Sequence, residues 1–523
     1  MVTKRSTRLG SAALGLALSA ALLGAASTPA SAGSAKSRST SACVTFAGVE
    51  TSGTLNSLDP TIQGSSQISI EVDAAYNKLV SAEPPNWSPQ PELATSWSHN
   101  ATATVWTINL RHNVLFHDGH EMTSADVVYT FKHLLNPKYG SDEAGTLSMI
   151  NPAKVVSVGK WAVRFTLNQP VGDFALYLAD KDAFIIPAGA SEHTLKYLGD
   201  GTGPFVPVDF QPTAATHKFV RFAHYWQKGL PKASCLVLSV IQEATTQAAA
   251  VESGQVDVLQ AADYSIIRSL KADSSLLIEA SGPGTSRTIP MWVNSTPFSN
   301  NNVREALKLV INRQQMVSTV LFGYGAVGDD NPVPPQSAFA WRHSPPKQNI
   351  PEAKRLLAAA GYGPNHPLNV TLYTADMLPG AEAIAELYQQ MAAEAGIHVN
   401  LAIGPASTYW SNVWLKQPFE MSGWNLRPPG LALAAAYTGS NSSSNESHWH
   451  NTQYNRLLRE AIASSNPARD MSLFKQAEKM LSLQGGEIVP VFTEQVAVMQ
   501  KKCHGYTPNA VLADVNWTDL SCS

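Results

Sequence analysis

Val105-Trp-Thr-Ile-Asn-Leu-Arg-His-Asn-Val-Leu-Phe-His-Asp-Gly-His120, followed after Glu121-Met122 by Thr123-Ser-Ala-Asp-Val-Val-Tyr-Thr-Phe-Lys-His-Leu134, is the stretch on which the fold turns. Residues 105–111 alternate apolar and polar side chains, the pattern of a half-buried strand. Asp118-Gly119 is a turn signal. Thr123 or Ser124 then caps a helix whose apolar residues recur at helical spacing, and Asn136-Pro137 stops it. A strand, a tight turn and an amphipathic helix within 30 residues describe a unit that buries one helix face on a sheet. Leu368–Tyr373 and His398–Ile403 read as further strands. Helices are expected over Asn302–Phe322, Pro351–Ala360, Ala381–Ala395, Thr452–Ser464 and Arg469–Leu483. Cys43–Val49 reads as a first strand ending in a turn. Strands and helices interleave, which is an α/β class.

The chain is 523 residues long, with 44% hydrophobic and 15% charged residues, enough for more than one core and too apolar for bulk disorder. Lys+Arg is 37 against Asp+Glu 40, a net charge of −3 without a basic block, which argues against a nucleic-acid partner. Lys4, Arg5 and Arg8 precede the apolar run Ala12–Ala26, and Ala30-Ser31-Ala32 offers a small-residue cleavage site. Residues 1–32 therefore read as a signal peptide and 33–42 as a flexible lead-in. The apolar run is shorter than the roughly 20 residues needed to span a bilayer. The expected product is exported and soluble, periplasmic or extracellular.

Four cysteines, Cys43, Cys235, Cys503 and Cys522, are an even number in an exported chain and favour two disulfides over metal ligands. None shares a C-x-x-C spacing, and no metal or cofactor is expected. Thr40-Ser41-Ala42 before Cys43 lacks the features of a lipid-attachment box. No H-E-x-x-H, G-x-S-x-G or Walker loop occurs. His117-Asp118-Gly119-His120 is a turn before it is a metal motif. Gly199-Asp-Gly-Thr-Gly-Pro-Phe205 has the glycines of a phosphate loop, but Pro204 and the extended run after it exclude the helix such a loop must open.

Several stretches together resemble the family 5 extracytoplasmic solute-binding proteins, the peptide, oligopeptide and nickel receptors of ABC importers. Leu93-Ala-Thr-Ser-Trp-Ser98, the 105–120 stretch and Thr123–Tyr129 are similar to the family signature, and Gly201-Thr-Gly-Pro-Phe205 to its turn. Cys235–Ile241 with Glu252-Ser-Gly-Gln-Val-Asp-Val-Leu259, then Asn294, Pro297-Phe298, Val303–Leu307 and Ile311-Asn-Arg313, follow in family order. Pro351–Tyr362 and Ile488-Val-Pro-Val-Phe492 complete a resemblance reaching from about residue 44 to 506.

The resemblance implies a two-lobe periplasmic-binding-protein-like fold, with a hinge and a subdomain inserted in lobe I. Lobe I would comprise 43–78, 188–290 and 490–523, the insert 79–187, and lobe II 291–489. The crossings would fall at Trp292 and Asn294 and at Val491 and Phe492. Neighbouring lobe I strands would pair Cys43 with Cys235, leaving Cys503 with Cys522. The implied function is capture of a peptide-like small solute by a monomer that delivers it to a membrane permease, without catalysis. An exported hydrolase, or a sensor or chaperone on the same scaffold, is the alternative.

In peptide receptors of this family an acidic residue in lobe II pairs with the ligand's ammonium. The matching segment here is Gly423-Trp424-Asn425-Leu426-Arg427-Pro428-Pro429, with no Asp or Glu between Met421 and Ser444. Trp424, Asn425 and Arg427 are candidate ligand contacts, Trp424 competing with a reading as a buried strand residue. Ser65, Ser66 and Gln67 match the lobe I loop that touches ligand in relatives. An ammonium in a closed cleft needs a carboxylate, so the solute is expected to offer this loop a neutral or anionic group, unless an acid such as Glu446 or Glu494 arrives from elsewhere.

Overall fold

The computed structural model describes residues 43–48, 57–62, 66–341, 345–435, 444–511 and 514–523. The expected signal peptide, the lead-in and Ser65 lie outside the described residues, as do the side chains of Ser66 and Gln67, which open the helix Ser66–Ala75.

Nine strands form the main sheet. Its order runs Ser422–Trp424, Leu276–Pro290, Glu487–Gln500, Val258–Leu259, Val44–Gly48, Cys235–Val240, Thr216–Arg221 and Phe205–Val208, and Gly325–Val327 also pairs with Glu487–Gln500. Val44–Gly48 lies parallel to both its neighbours, whereas the outer hairpins are antiparallel. Val44, Phe46, Leu236, Leu238 and Phe219 alternate inward and are buried. Their core includes Tyr506 and Trp517, with Phe46 edge-on to both rings at 5.6 and 4.9 Å.

The deciding stretch folds as its pattern dictates. Val105–Leu110 is the centre of an antiparallel sheet with Ala94–His99, Ala162–Thr166 and Val156–Ser157. Trp106, Ile108 and Leu110 point inward onto Phe116, Phe131, Phe165 and Phe174. Thr123 caps the helix Ser124–Leu134 in a capping box closed by Asp126. The turn at Gly201–Gly203 locks this unit to the main sheet. A Cβ at Gly201 would stand 2.1 Å from the Ala75 carbonyl oxygen, so the close approach demands glycine. His117 places its ring nitrogens 3.0 and 3.1 Å from the carbonyls of Gly199 and Gly203, and burial lowers its pKa to about 4. The His is a structural tie.

Leu368–Thr374 and Ile397–Ile403 are parallel strands joined through the helix Ala381–Glu394. The expected helix Asn302–Phe322 is instead two, Asn301–Leu309 and Arg313–Thr319. Asn312 breaks it, because its side chain accepts from Gln315 N and caps a new helix. Asn466 does the same for Pro467–Gln484, which starts two residues before the expected Arg469.

Both disulfides are present, Cys43–Cys235 with Cα atoms 4.5 Å apart and Cys503–Cys522 at 4.0 Å. The long pair Leu276–Pro290 and Glu487–Gln500 changes company along its length. Leu276–Ala280 face Val496–Gln500 beside the Val258–Leu259 strand, whereas Ser286–Thr288 pair with Ser422–Trp424 and Val491–Thr493 with Gly325–Val327. The change falls at Ala280–Thr285, where the register shifts twice. Val491 and Phe492 have strand partners on both sides, and Trp292 lies past the strand end, stacked on His448 at 4.3 Å with Asn294 Oδ1 3.1 Å from that ring.

Candidate functional site

The loop after the strand Ser422–Trp424 is stiffened by Pro428 and Pro429, which leads into a short helix, Pro429–Ala435. Asn425, Leu426, Arg427 and Pro428 form one wall of a cavity. The opposite wall comes from residues 82–181, with Ala82, Trp87, Leu176, Ala179, Asp180 and Lys181, and from the C-terminal segment, with Val511 and Asp514. Three parts of the chain thus meet around one space. Trp87 packs in a small apolar cluster with Ala82, Leu426 and Ala510 that bridges all three. Its φ is +52°, a conformation a bulky side chain adopts only when its surroundings impose it.

Arg427 is half-buried. Among the described residues its guanidinium enters no hydrogen bond or ion pair within contact distance, although its charge acts on Asp180. Burial would raise the Asp180 pKa, but Arg427, a hydrogen bond from the Glu143 carboxyl and the Lys181 amide outweigh it and hold Asp180 ionised. Glu143 is pushed far up by burial and by the charges of Asp180 and Asp182, and so carries the proton it shares. The other charges are already matched. Lys181 Nζ lies 2.5 Å from Asp182, and Lys78 Nζ lies 3.0 Å from Asp514. Among the described residues, Arg427 is the cavity's cation whose donors enter no hydrogen bond.

Of the residues singled out in sequence, Asn425 and Arg427 line this cavity, and Trp424 is not among its lining residues. The Trp424 indole N–H donates to Glu446 Oε2 at 2.9 Å. Glu446 is fully buried and also accepts from Ser422 Oγ and Trp414 Nε1, each at 2.5 Å. Glu487, driven far up by burial and by the Glu446 charge, contributes a proton to the pair, and burial raises the nearby Glu420 to about 9. Glu446 is thus committed to bracing the loop's root, not to a ligand ammonium. The acid that does arrive at Arg427 from elsewhere is Asp180. Nothing in the local sequence marks Asp180 or Trp87; only the docking of the insert brings them here.

The exposed turn also gathers Asp118, His120 and Asp200 within 4.8 Å, with His120 Nδ1 2.5 Å from Asp118. Asp200 accepts from the Asp118 amide, so its carboxylate already serves the turn.

The family model described as bacterial extracellular solute-binding proteins, family 5 Middle, matches residues 88–447. This chain belongs to that family. Heme-binding protein A of Haemophilus influenzae is 27% identical over 470 residues, covering 82% of this chain and 84% of that protein. The glutathione-binding protein GsiB of Escherichia coli K12 is 27% identical over 442 residues, covering 79% and 82%. The dipeptide-binding protein of Pseudoalteromonas sp. SM9913, in complex with Met-Leu, superposes with a TM-score of 0.79 at 19% identity, over 92% of this chain and 100% of that one. The family 5 chain therefore has the two-lobe α/β fold of periplasmic binding proteins, and its relatives are solute-binding receptors rather than enzymes. No helix of the described residues is long and apolar enough to cross a membrane.

Proposed function

We propose that this family 5 protein is the exported, monomeric receptor of an ABC importer, which closes over a peptide-like solute and presents it to membrane permease subunits. One observation carries the finer reading: the half-buried, unengaged Arg427 on the wall between lobe II and the insert. A planar guanidinium with free donors in a closing cleft favours a carboxylate held by two parallel hydrogen bonds. Relatives that bind glutathione and a Met-Leu dipeptide support a solute carrying such a group. Asp180 gives an ammonium a counter-charge in the same cavity, so a blocked amine is no longer required. Lobe I takes 43–78, 188–290 and 490–523, the insert 79–187 and lobe II 291–489. The hinge lies where the chain crosses between these bounds, at Trp292 and Asn294 and at Val491 and Phe492, beside the register shift between Arg287 and Ile289, where extended backbone can absorb φ/ψ change.

The experiment is calorimetry with a dipeptide, its N-acetylated twin and its C-terminal amide, alongside scattering for a fall in radius of gyration. Loss of a charge-assisted pair of roughly 1.5–3 kcal/mol weakens the amide more than tenfold, and Arg427→Ala removes that difference. Equal affinity of acid and amide refutes the Arg427 assignment. Steady release of an altered product refutes the receptor reading.

A further inference from the structure

The insert touches lobe II at a second place, beyond the cavity. The Gly172 amide donates to the carbonyl of Ile462, at 2.8 Å, where the helix Thr452–Ala463 ends. Gly172 does not hold a left-handed φ, so its conformation alone does not call for glycine. Proximity does. A Cβ at 172 would lie 1.7 Å from the Ser464 carbonyl oxygen and 2.7 Å from Ser465 N, well inside van der Waals contact. The obstacle is backbone, and it cannot swing aside as a side chain could. Ser464 N is itself tied to Ala461 O at 3.0 Å, and Asn466 caps the next helix immediately after.

Two further features flank this contact. Leu431 of lobe II is buried in the insert's own core. Asp173 and Asp470, from opposite sides, line the same cavity, whose walls include Tyr177, Phe339 and Phe474. Burial and then the Asp470 charge raise the Asp173 pKa to about 6, so at neutral pH two like charges oppose each other across the seam. One backbone bond and one apolar contact favour seating, and one charge pair opposes it.

We propose that residues 171–173 are a reversible latch: the cleft shuts fully only when the bare backbone at Gly172 seats on residues 462–464, and the Asp173–Asp470 pair loosens it again. The latch draws its purpose from the receptor reading but not its geometry. Any side chain at 172 holds the insert away from lobe II while leaving each part folded. Removing one carboxylate seats the latch more firmly.

Amide hydrogen exchange on the full chain at pH 7.5, with a dipeptide such as Met-Leu in excess, tests this. In the wild type, peptides covering 169–176 and 460–468 are protected. Gly172→Ala speeds exchange in both by about tenfold or more, because opening there costs less than unfolding, while the strands Val105–Leu110 and Ala162–Thr166 keep their protection. Asp470→Asn slows exchange in both segments, and it decides the matter alone if the Gly172 variant does not fold. The latch is overturned if Gly172→Ala exchanges like wild type, if Asp470→Asn changes nothing, or if 169–176 is unprotected in the wild type. A chain that shows these changes yet captures no peptide keeps the latch and loses the receptor reading.

Discussion

Glu446 is the side chain on which the Trp424–Pro428 loop hangs, and its removal has a magnitude that can be worked out. It is fully buried and accepts from Trp424 Nε1 at 2.9 Å, Trp414 Nε1 at 2.5 Å and Ser422 Oγ at 2.5 Å. Glu446→Ala leaves two half-buried indole N–H groups and one buried hydroxyl without their acceptor. At roughly 1–3 kcal/mol for each buried donor left unpaired, and allowing partial rescue by the serine rotor, the expected loss is about 3–6 kcal/mol. Glu446→Gln keeps one acceptor oxygen but turns an amino group toward an indole N–H. It also takes away the charged acceptor of the Glu487 proton, so a loss of about 1–2 kcal/mol is expected. Urea unfolding followed by tryptophan emission reads both, since Trp414 and Trp424 report on this site directly. Both variants should also weaken solute binding, because Asn425 and Arg427 follow Trp424 on the same loop. A loss below about 1 kcal/mol for Glu446→Ala, or equal losses for the two variants, refutes this account.

Stability should also respond to pH through Glu420, whose folded pKa of about 9 stands above its ordinary value of 4.5. The folded state binds the extra proton, so this contribution is complete below about 4.5 and is lost as pH rises through 9; Glu420→Gln should flatten a melting curve series over pH 5–9. Removing the Cys43–Cys235 bridge, which spans 192 residues, should cost about 5 kcal/mol by chain entropy, and removing Cys503–Cys522, spanning 19, about 3 kcal/mol. Denaturant titration of the two double-serine variants gives the order, and the reverse order contradicts it. Gly203→Ala places a Cβ 2.4 Å from the Ala75 carbonyl carbon and should cost at least about 2 kcal/mol, read as a lowered melting temperature against a Gly404→Ala control, where a Cβ meets open space and φ is not positive.

Local rules made residues 94–134 legible. The alternation of Val105–Leu110, the Asp118-Gly119 turn and the Thr123 cap each act within a few residues, and the structure reproduces them. The break at Asn312 escaped because a helix-compatible pattern runs through it, and a single capping side chain outweighs the pattern. Asn425 and Arg427 drew attention because an acidic position of the family pattern is filled by a base, and both line the cavity. Trp424 was drawn toward the cleft by the same comparison, although its indole N–H answers to a carboxylate 22 residues later.

By itself, then, the sequence determined the class of fold, the two disulfides and the loop that carries the unpaired cation, since each depends on periodicity, cysteine pairing within a recognised strand order, or residue type at a matched position. Only the tertiary structure decided what faces that cation. Asp180 lies about 250 residues from Arg427 along the chain and reaches it because the Gly201–Gly203 turn seats the insert on the main sheet. Electrostatics and steric exclusion act over ångströms of space. The Arg427–Asp180 juxtaposition, the burial that locks Glu446 onto two indoles and the 1.7 Å reason for a glycine at 172 therefore exist only once the parts are docked.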